Sequence, residues 1–207
     1  MCICLAEQTF DRWSGSYDRL LWPFDRLFLD RWRQRLWSGI PAGRILEVGV
    51  GTGASFPWYP AGSSVTGIDV SRGMLDVAFR RANRRRVDID LRQMDVEQLG
   101  FPDGHFDTVV GSLVFCSVPD PVRGMRELRR VCKPGGELRL LEHVRSEGWL
   151  GPIMDRLSGP LARRYGEYIN RRAAAAVTRA GWQLESVENL LLDLVQLIRA
   201  LPDKTAD

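Results

Sequence analysis

The sequence predicts a single α/β domain built on a mostly parallel β-sheet. Its 207 residues are 44% hydrophobic and 27% charged, which suits one soluble globular domain with a full core of its own. From Arg44 onward, short β-branched or aliphatic runs alternate with helical patterns, as in a parallel sheet covered by helices. This composition excludes a disordered tail and a disulfide-rich miniprotein.

The predicted elements follow one another along the chain in this alternation. Five strands are expected at residues 45–48, 65–69, 89–94, 108–115 and 137–143. Helices are expected at residues 71–86, 121–132 and 159–180, and the turn Lys133-Pro134-Gly135-Gly136 leads into the fifth strand. Residues 182–201 predict two last strands, or one strand and a helix, around Asn189.

The first 40 residues differ in kind, and we treat residues 1–40 as a unit apart from a domain at 41–207. Asp-Arg recurs every seven residues, at 11/12, 18/19 and 25/26. An apolar stripe has spacings of three and four residues: Phe10, Trp13, Tyr17, Leu20, Phe24 and Leu27. The pattern predicts amphipathic helices at 8–21 and 23–37, with Pro23 in the first turn of the second. Two interpretations stay open, a lid over the cleft and an element that contacts an anionic membrane surface.

Charge and residue usage exclude several classes of function. The 29 basic and 26 acidic residues give a formal charge of +3, so we expect no nucleic-acid partner. Only Lys133 and Lys204 are lysines, and neither follows a Walker-type loop, which excludes P-loop phosphoryl transfer. The four cysteines lack CxxC spacing and only His105 and His143 are histidines, so no metal is expected. Without a signal-peptide core or a run near ~20 apolar residues, a cytoplasmic location is expected.

A glycine-rich loop follows the first predicted strand. Gly49, Gly51 and Gly53 are spaced by two, and such glycines let a ligand approach the backbone at the carboxyl end of a strand. Gly49, Gly51 and Ala54 also satisfy the dinucleotide pattern GxGxxG/A. Asp69 lies 20 residues after Gly49, where a ribose-binding acid is expected in either class. The loop alone therefore leaves the ligand open.

Two further acids favour one ligand over the other. Glu47 precedes the loop, where negative charge suits a ligand with an ammonium group, although bracing of the loop is an equal alternative. Asp95 follows the third predicted strand, where its carboxylate could accept a hydrogen bond from an exocyclic adenine amine. For Gly53, the alternative to cofactor binding is close packing against the next helix.

On these residues the sequence resembles a class I S-adenosylmethionine-dependent methyltransferase over roughly residues 40–145. The matching segments are LEVGVGTG at 46–53, VTGIDVS at 65–71, FPDGHFDTVVGSLVF at 101–115 and LRRVCKPGG at 128–136. The resemblance implies a Rossmann-like sheet of seven mostly parallel strands with an antiparallel last strand and helices on both faces. It implies that Asp69 holds the ribose hydroxyls and that Asp95 and Val96 contact the adenine. The implied cofactor-binding set is Glu47, Gly49, Gly51, Gly53, Asp69, Val70, Asp95, Val96 and Ser112.

The residues after the fourth predicted strand indicate the class of methyl acceptor. DNA-amine methyltransferases carry a (D/N/S)PP(Y/F) motif there, whereas this chain has apolar Leu113, Val114 and Phe115, which favours a lipophilic or amphipathic acceptor. The chain resembles small bacterial phospholipid and quinone methyltransferases and lipid-associated thiol methyltransferases, on Tyr17-Asp18 and Leu141-Glu142-His143-Val144. A small or lipophilic acceptor is expected, and the amine headgroup of a phospholipid such as phosphatidylethanolamine is one candidate. A quinone or a thiol is the alternative, so the identity of the acceptor stays open. Residues 148–172 depart from this resemblance.

Two residues are predicted to serve the acceptor step. His143 ends the fifth predicted strand and is a natural base near neutral pH, although a histidine there also serves as a hydrogen-bonded pocket wall. Tyr17 is predicted to gate the cofactor or orient the acceptor, with a core aromatic as the alternative. Two hypotheses from other functional classes stay open. One is a nicotinamide-dependent oxidoreductase, although the sequence has no Tyr-x-x-x-Lys pair, and the other is a cofactor-binding protein without turnover.

Overall fold

A computed structural model of the protein describes residues 3–15 and 28–203. These residues form one seven-stranded sheet in the order β3-β2-β1-β4-β5-β7-β6. The strands are β1 Arg44–Val48, β2 Ser64–Asp69, β3 Asp90–Gln93, β4 Phe106–Ser112, β5 Cys132–His143, β6 Trp182–Leu190 and β7 Val195–Pro202. The α-helices are α1 Ile3–Trp13, α2 Asp30–Trp37, α3 Arg72–Arg85, α4 Pro121–Val131, α5 Gly151–Tyr165 and α6 Ala173–Arg179.

The sheet has the predicted class I topology. Strands β3, β2, β1, β4 and β5 pair in parallel, and β7 pairs antiparallel with both β5 and β6. The mostly parallel sheet with an antiparallel last strand is therefore confirmed. The strand order reverses between β1 and β4, and ligands of open α/β sheets bind outside the carboxyl ends of the strands at such a point.

Local sequence signals explain where the central helices begin. Ser71 precedes α3 and its hydroxyl accepts a hydrogen bond from the Met74 amide at 3.1 Å. Asp120 caps α4 in the same way, accepting from the amides of Val122 and Arg123, and Pro121 occupies the first turn. The predicted helices at 71–86 and 121–132 are confirmed within one or two residues.

The core fills both faces of the sheet. Leu46, Val48 and Val109 are fully buried on the face that carries α4 and α6. On the other face, Leu36 and Trp37 of α2 pack against the central strands. Burial of these side chains supplies the main stabilisation, at about 1.5–3 kcal/mol for each large aliphatic residue, and fixes the carboxyl edge on which the site is built.

Several predicted elements are wrong in their extent. The helix expected at 159–180 is two helices, because Gly166 ends α5 in the left-handed conformation (φ 77°) and α6 begins only at Ala173. The fourth strand ends at Ser112 rather than at 115, because Leu113 has a positive φ of 58° that turns the chain out of the sheet.

The remaining differences concern the two ends of the chain and one bulge. Helix α1 begins at Ile3, before the predicted start at residue 8, and Pro23 lies outside the described residues. Residues 133–136 bulge from β5, since Phe106 pairs with Cys132 and Thr108 with Glu137. Residues 182–201 form two strands, as the first of the two alternatives predicted. The division of the chain at residue 40 stays a prediction.

Candidate active site

A cavity lies at the carboxyl edge of β1, β2 and β4, where the sheet order reverses. Seven of the nine residues predicted to bind the cofactor line it: Gly49, Gly51, Asp69, Val70, Asp95, Val96 and Ser112. The remaining walls are mostly apolar and come from Phe10, Ile68, Met74, Met94, Leu113, Val114, Ser117, Val118 and Pro119. The sequence therefore identified the polar half of this cavity and little of its apolar half.

The glycine loop makes room at the end of β1. Gly49 has a φ of 61°, and a Cβ added there would lie 2.4 Å from Cγ2 of Val114. Gly51 also has a positive φ, of 55°, and its amide donates to Oδ2 of Asp69 at 2.8 Å. Only glycine combines this backbone conformation with so close an approach at position 49.

The Asp69 carboxylate is held in place by backbone amides. Gly51 donates to Oδ2 and Ser71 donates to Oδ1 at 2.9 Å. Burial raises the pKa of Asp69 above its ordinary value, while the amides of Ser71 and Gly51 act against that rise. A carboxylate fixed on both oxygens by main-chain donors is preorganised to accept further hydrogen bonds from ligand hydroxyls.

Two more polar groups face the same cavity. Asp95 accepts a hydrogen bond from the Glu97 amide at 2.8 Å, which fixes its carboxylate beside buried Val96. The hydroxyl of Ser112 is buried and has no hydrogen-bond partner within the described part of the chain. An unsatisfied buried hydroxyl in a ligand cavity is explained by a polar partner that the ligand supplies.

Glu47 and Gly53 are not among the residues that line this cavity. Glu47 is 1% exposed and accepts a hydrogen bond from the Tyr59 hydroxyl, and burial raises its pKa to about 7. A Cβ on Gly53 would lie 2.4 Å from the ring of Phe56. For both residues the structure favours the alternatives left open from the sequence, a brace behind the loop for Glu47 and close packing for Gly53.

A second cavity, of about 550 Å³, adjoins the first and is mostly apolar. The two cavities share Phe10 and Leu113 as lining residues. The second is also lined by Thr9, Trp13, Leu29, Cys116, His143, Tyr165, Glu167, Tyr168, Ile169, Leu191, Leu194 and Val195. A volume of this size can hold a substantial organic group beside the first cavity.

Three side chains that line the second cavity have shifted pKa values: His143, Glu167 and Cys116. Burial lowers the pKa of His143 below its ordinary 6.5, so its imidazole is neutral at pH 7. Burial raises the pKa of Glu167 and, far more, that of the Cys116 thiol, which therefore stays protonated. The predicted placement of His143 at the site edge agrees with the structure, and its catalytic role stays a prediction.

Sequence reasoning missed Glu142 as part of the site. Its buried carboxylate accepts hydrogen bonds from the amides of Val114 at 3.0 Å and Phe115 at 3.2 Å. These bonds hold the turn that begins at Leu113 and forms a wall of both cavities. The available signal was an acid within the mostly apolar strand segment Leu140 to Val144. Such an acid is buried, and a buried carboxylate needs hydrogen-bond donors close by.

Some predictions fall outside what the structure describes. Tyr17 lies outside the described residues, so its role stays a prediction. Among the described residues, no group of three metal-ligating side chains comes together. None of the helices within that same part of the chain combines the length and apolarity that crossing a bilayer requires.

Comparison with known proteins decides the family. Residues 46–140 match the family described as Methyltransferase domain. A demethylmenaquinone methyltransferase of Renibacterium salmoninarum is 35% identical over 178 residues, which cover 84% of this chain and 68% of that protein. The chain belongs to the class I S-adenosylmethionine-dependent methyltransferases. The alternative of a nicotinamide-dependent oxidoreductase is therefore wrong.

Other similar proteins differ in the acceptor that their names give. A phosphatidylethanolamine N-methyltransferase of Cereibacter sphaeroides is 45% identical over 114 residues, but the match spans only 54% of this methyltransferase and 56% of that protein. Among solved structures, geranyl diphosphate C-methyltransferase from Streptomyces coelicolor, in complex with S-adenosylhomocysteine, superposes with a TM-score of 0.72 at 16% identity. That superposition covers 90% of this chain and 84% of the other, and it shows the fold alone.

The first cavity fits the family's cofactor, S-adenosylmethionine. The positive-φ glycines give its backbone a close approach to a ligand, Asp69 offers a fixed carboxylate for hydroxyls, and Ser112 offers an unsatisfied hydroxyl. The apolar side chains of Ile68 and Val96 supply surfaces suited to a flat ring. The polar and apolar halves of the cavity thus match the two kinds of surface that a nucleoside carries.

Proposed function

We propose that this methyltransferase methylates the amine headgroup of a lipid, with phosphatidylethanolamine as the first acceptor to test. The observation that carries the proposal is the large apolar cavity beside the cofactor cavity. This apolar cavity contains the carboxylate of Glu167, which has no counter-ion among the residues that the structure describes. The amine acceptor, the site residues and the lid described below are parts of this proposal. A quinone or a thiol stays the alternative acceptor.

Glu167 supports an amine rather than a neutral acceptor. Within residues 3–15 and 28–203, its carboxylate has no hydrogen bond or ion pair, and burial raises its pKa. A carboxylate in apolar surroundings is stabilised by a cation, and a protonated amine headgroup supplies one. Neither a quinone nor a thiol offers a positive charge to Glu167.

The chain positions both reactants and takes up one proton. When bound, S-adenosylmethionine supplies a methyl group activated by its sulfonium. Asp69, Asp95 and Ser112 would hold the cofactor, and the turn at Leu113 would separate the nucleoside from the acceptor. A protonated amine must lose a proton before its nitrogen can attack. In this proposal a ring nitrogen of neutral His143 would accept that proton, and its place in the wall of the acceptor cavity supports the role.

Helix α1 supports the lid interpretation of the N-terminal segment. Phe10 lines both cavities and Trp13 lines the acceptor cavity. A lid of this kind excludes water from the transfer site and strengthens the electrostatic interactions inside it. The alternative of membrane contact through residues 8–37 concerns many residues outside the described part of the chain, and it stays a prediction for them.

The acceptor is tested by incubating the full chain with S-adenosylmethionine and each acceptor class, then analysing the products by mass spectrometry. We expect N-methylated phosphatidylethanolamine from detergent micelles that contain the lipid. Glu167→Gln should raise KM for the amine acceptor about tenfold with little change in cofactor affinity, because it removes a charge-assisted contact. Glu185→Gln, at an exposed residue of β6, is the matched control. Methylation of demethylmenaquinone or an alkyl thiol, with no amine product, would replace the amine proposal.

His143 is tested in the same assay against the other histidine. His143→Gln should lower kcat by about 10²-fold or more if the imidazole takes the proton, with the affinity for S-adenosylhomocysteine unchanged. His105→Gln is the control, because His105 stacks near Phe101 away from both cavities. Equal activity of the two variants would leave His143 as a wall of the pocket.

A further inference from the structure

Four large apolar side chains form an exposed patch outside both cavities. Trp149 is 79% exposed, Leu192 is 84% exposed, and Ile153 and Leu157 are each about half exposed on α5. We call these four residues the apolar rim. Large apolar groups gathered on a surface mark an interaction site more often than scattered ones do.

A backbone hydrogen bond and the spacing of residues on α5 place the members of the apolar rim in one region of the surface. The Glu147 amide donates to Oδ2 of Asp193 at 2.9 Å, which joins the segment before α5 to the β6–β7 turn that carries Leu192. Ile153 and Leu157 lie one helical turn apart on α5, while Met154 and Ser158 face inward and are buried. The outer face of α5 and the β6–β7 turn therefore belong to one surface region.

Backbone strain accompanies the exposure of Leu192. Leu191, Leu192 and Asp193 have successive positive φ values of 45°, 54° and 65°. This conformation is sterically unfavourable for a non-glycine residue, and burial does not offset the strain at Leu192, whose side chain is 84% exposed. Such strain is retained where the exposed group serves a function.

The apolar rim is continuous with the acceptor cavity. Tyr165, at the end of α5, lines that cavity and is 41% exposed, and Leu191 lines it and is 38% exposed. Leu191 is next to Leu192 in the chain, and Tyr165 lies on the same helix as Ile153 and Leu157, about two turns after Leu157. An acceptor that enters the cavity past these residues passes the rim.

Charge on α5 indicates what kind of surface the rim contacts. The helix carries three arginines, Arg156, Arg163 and Arg164, against one acid, Asp155. Asp155 accepts hydrogen bonds from Arg145 at 2.9–3.0 Å, so its charge is already compensated. An apolar stripe with arginines and a tryptophan beside it is the chemistry of a helix that lies in the headgroup region of an anionic bilayer.

We propose that the apolar rim and the arginines of α5 dock the protein on an anionic lipid bilayer, with the mouth of the acceptor cavity facing the membrane. The proposal rests on the lipid acceptor proposed above, because a lipid must be drawn from a bilayer into the cavity. Trp149, Ile153, Leu157 and Leu192 would enter the headgroup boundary. The arginines would lie at the level of the lipid phosphates.

Vesicle cosedimentation tests the docking without any methyl transfer. The full chain is mixed with phosphatidylcholine vesicles, with and without phosphatidylglycerol, at low and high salt. We expect sedimentation with the anionic vesicles that decreases with salt. Ile153→Ser/Leu157→Ser and Leu192→Ser should each weaken vesicle binding about tenfold or more, because buried apolar area is lost. Phe79→Ser, at a residue of α3 that is 60% exposed, is the control and should bind as the unmodified chain does.

The outcomes separate this proposal from the proposed function. Leu192→Ser should keep its activity on acceptor presented in detergent micelles and lose activity on vesicles. Absence of binding to any vesicle, or unchanged binding of both rim variants, would overturn the docking proposal. Light scattering that shows a dimer disrupted by the same substitutions would assign the rim to a second copy instead. Vesicle binding without methylation of any lipid would leave docking intact and reject the lipid acceptor.

Discussion

Oδ1 of Asp11 on helix α1 accepts a hydrogen bond from the backbone amide of Gly73, at 2.9 Å, in the first turn of helix α3. The same oxygen accepts from the hydroxyl of Ser71, two residues after Asp69. A carboxylate at a helix N-terminus is stabilised by the free amides and by the helix dipole. One acid of the N-terminal Asp-Arg pattern thus fixes helix α1 beside the residue proposed to bind the ribose.

Asp11→Ala should loosen helix α1 without unfolding the sheet. The substitution removes the bonds to Ser71 and to Gly73 at the start of α3, and loss of such a cap costs about 0.5–2 kcal/mol. Hydrogen exchange followed by mass spectrometry should show faster exchange of the α1 amides, while the amides of β1 and β4 stay protected. Gln8→Ala, at an exposed position of the same helix, controls for the change in helix propensity. Equal exchange of α1 in both variants would show that Asp11 does not anchor the lid.

Asp69→Ala should weaken cofactor binding strongly. It removes the carboxylate proposed to accept from the ribose hydroxyls, at a cost of about 2–3 kcal/mol, which is roughly 30- to 150-fold in Kd. Titration calorimetry with S-adenosylhomocysteine measures the change. Asp90→Ala, at an acid of the neighbouring strand β3 that pairs with Arg92, is the control and should bind normally. Unchanged affinity of Asp69→Ala would reject the placement of the ribose.

Gly49→Ala should damage the site more than an equivalent change elsewhere. Gly49 and Gly62 have positive φ values of 61° and 78°, so alanine at either costs about 1–2 kcal/mol of backbone strain. Only at Gly49 would the new Cβ meet another side chain, at 2.4 Å from Val114, whereas nothing lies within 4 Å at Gly62. Urea unfolding and calorimetry should show a further loss of stability and of cofactor affinity for Gly49→Ala alone. Two variants that behave alike would show that Val114 moves aside freely.

The sheet and the cofactor loop were predictable because their signals are local. The apolar run before Gly49 predicts a buried strand. Gly49 and Gly51 predict the turn that follows, because both residues have the positive φ that glycine adopts readily. Asp69 is the last residue of its strand, so its place at the sheet edge is set by β2 alone. Pairing of 182–201 as two strands was left open, because short apolar runs do not separate a strand from a helix.

The acceptor cavity was not predictable because it is assembled from segments far apart in the chain. Phe10, Leu113, His143, Glu167 and Leu191 reach it from five different elements or turns. One wall of the cavity depends on the positive φ of Leu113, and a leucine in a sequence gives no indication of that conformation. Gly166 ends α5 locally, but the segment between α5 and α6 reaches the cavity through a tertiary contact, in which the Tyr168 amide donates to the Cys116 carbonyl at 2.8 Å.

Glu142 should make the stability of the protein depend on pH in an unusual direction. Burial raises the pKa of Glu142 from its ordinary 4.5 to about 7, while the amides of Val114 and Phe115 act against that rise. Between these two values the folded protein holds a proton that the unfolded chain has released. The contribution of Glu142 to stability is therefore fully present below about pH 4.5 and is lost as the pH rises through about 7.

Glu142→Gln should reduce this loss, because glutamine has no proton to release and its amide oxygen can still accept from both backbone amides. From pH 5 to pH 8 the free energy of unfolding should fall less steeply in the variant, by roughly 2–4 kcal/mol over the interval. Glu47, whose pKa is also raised to about 7, keeps part of the slope in both proteins. Urea unfolding at four pH values measures the slopes, with Glu188→Gln as an exposed control on β6. Parallel curves for Glu142→Gln and the unmodified chain would mean that Glu142 is ionised in the fold at neutral pH, held by its two amide donors.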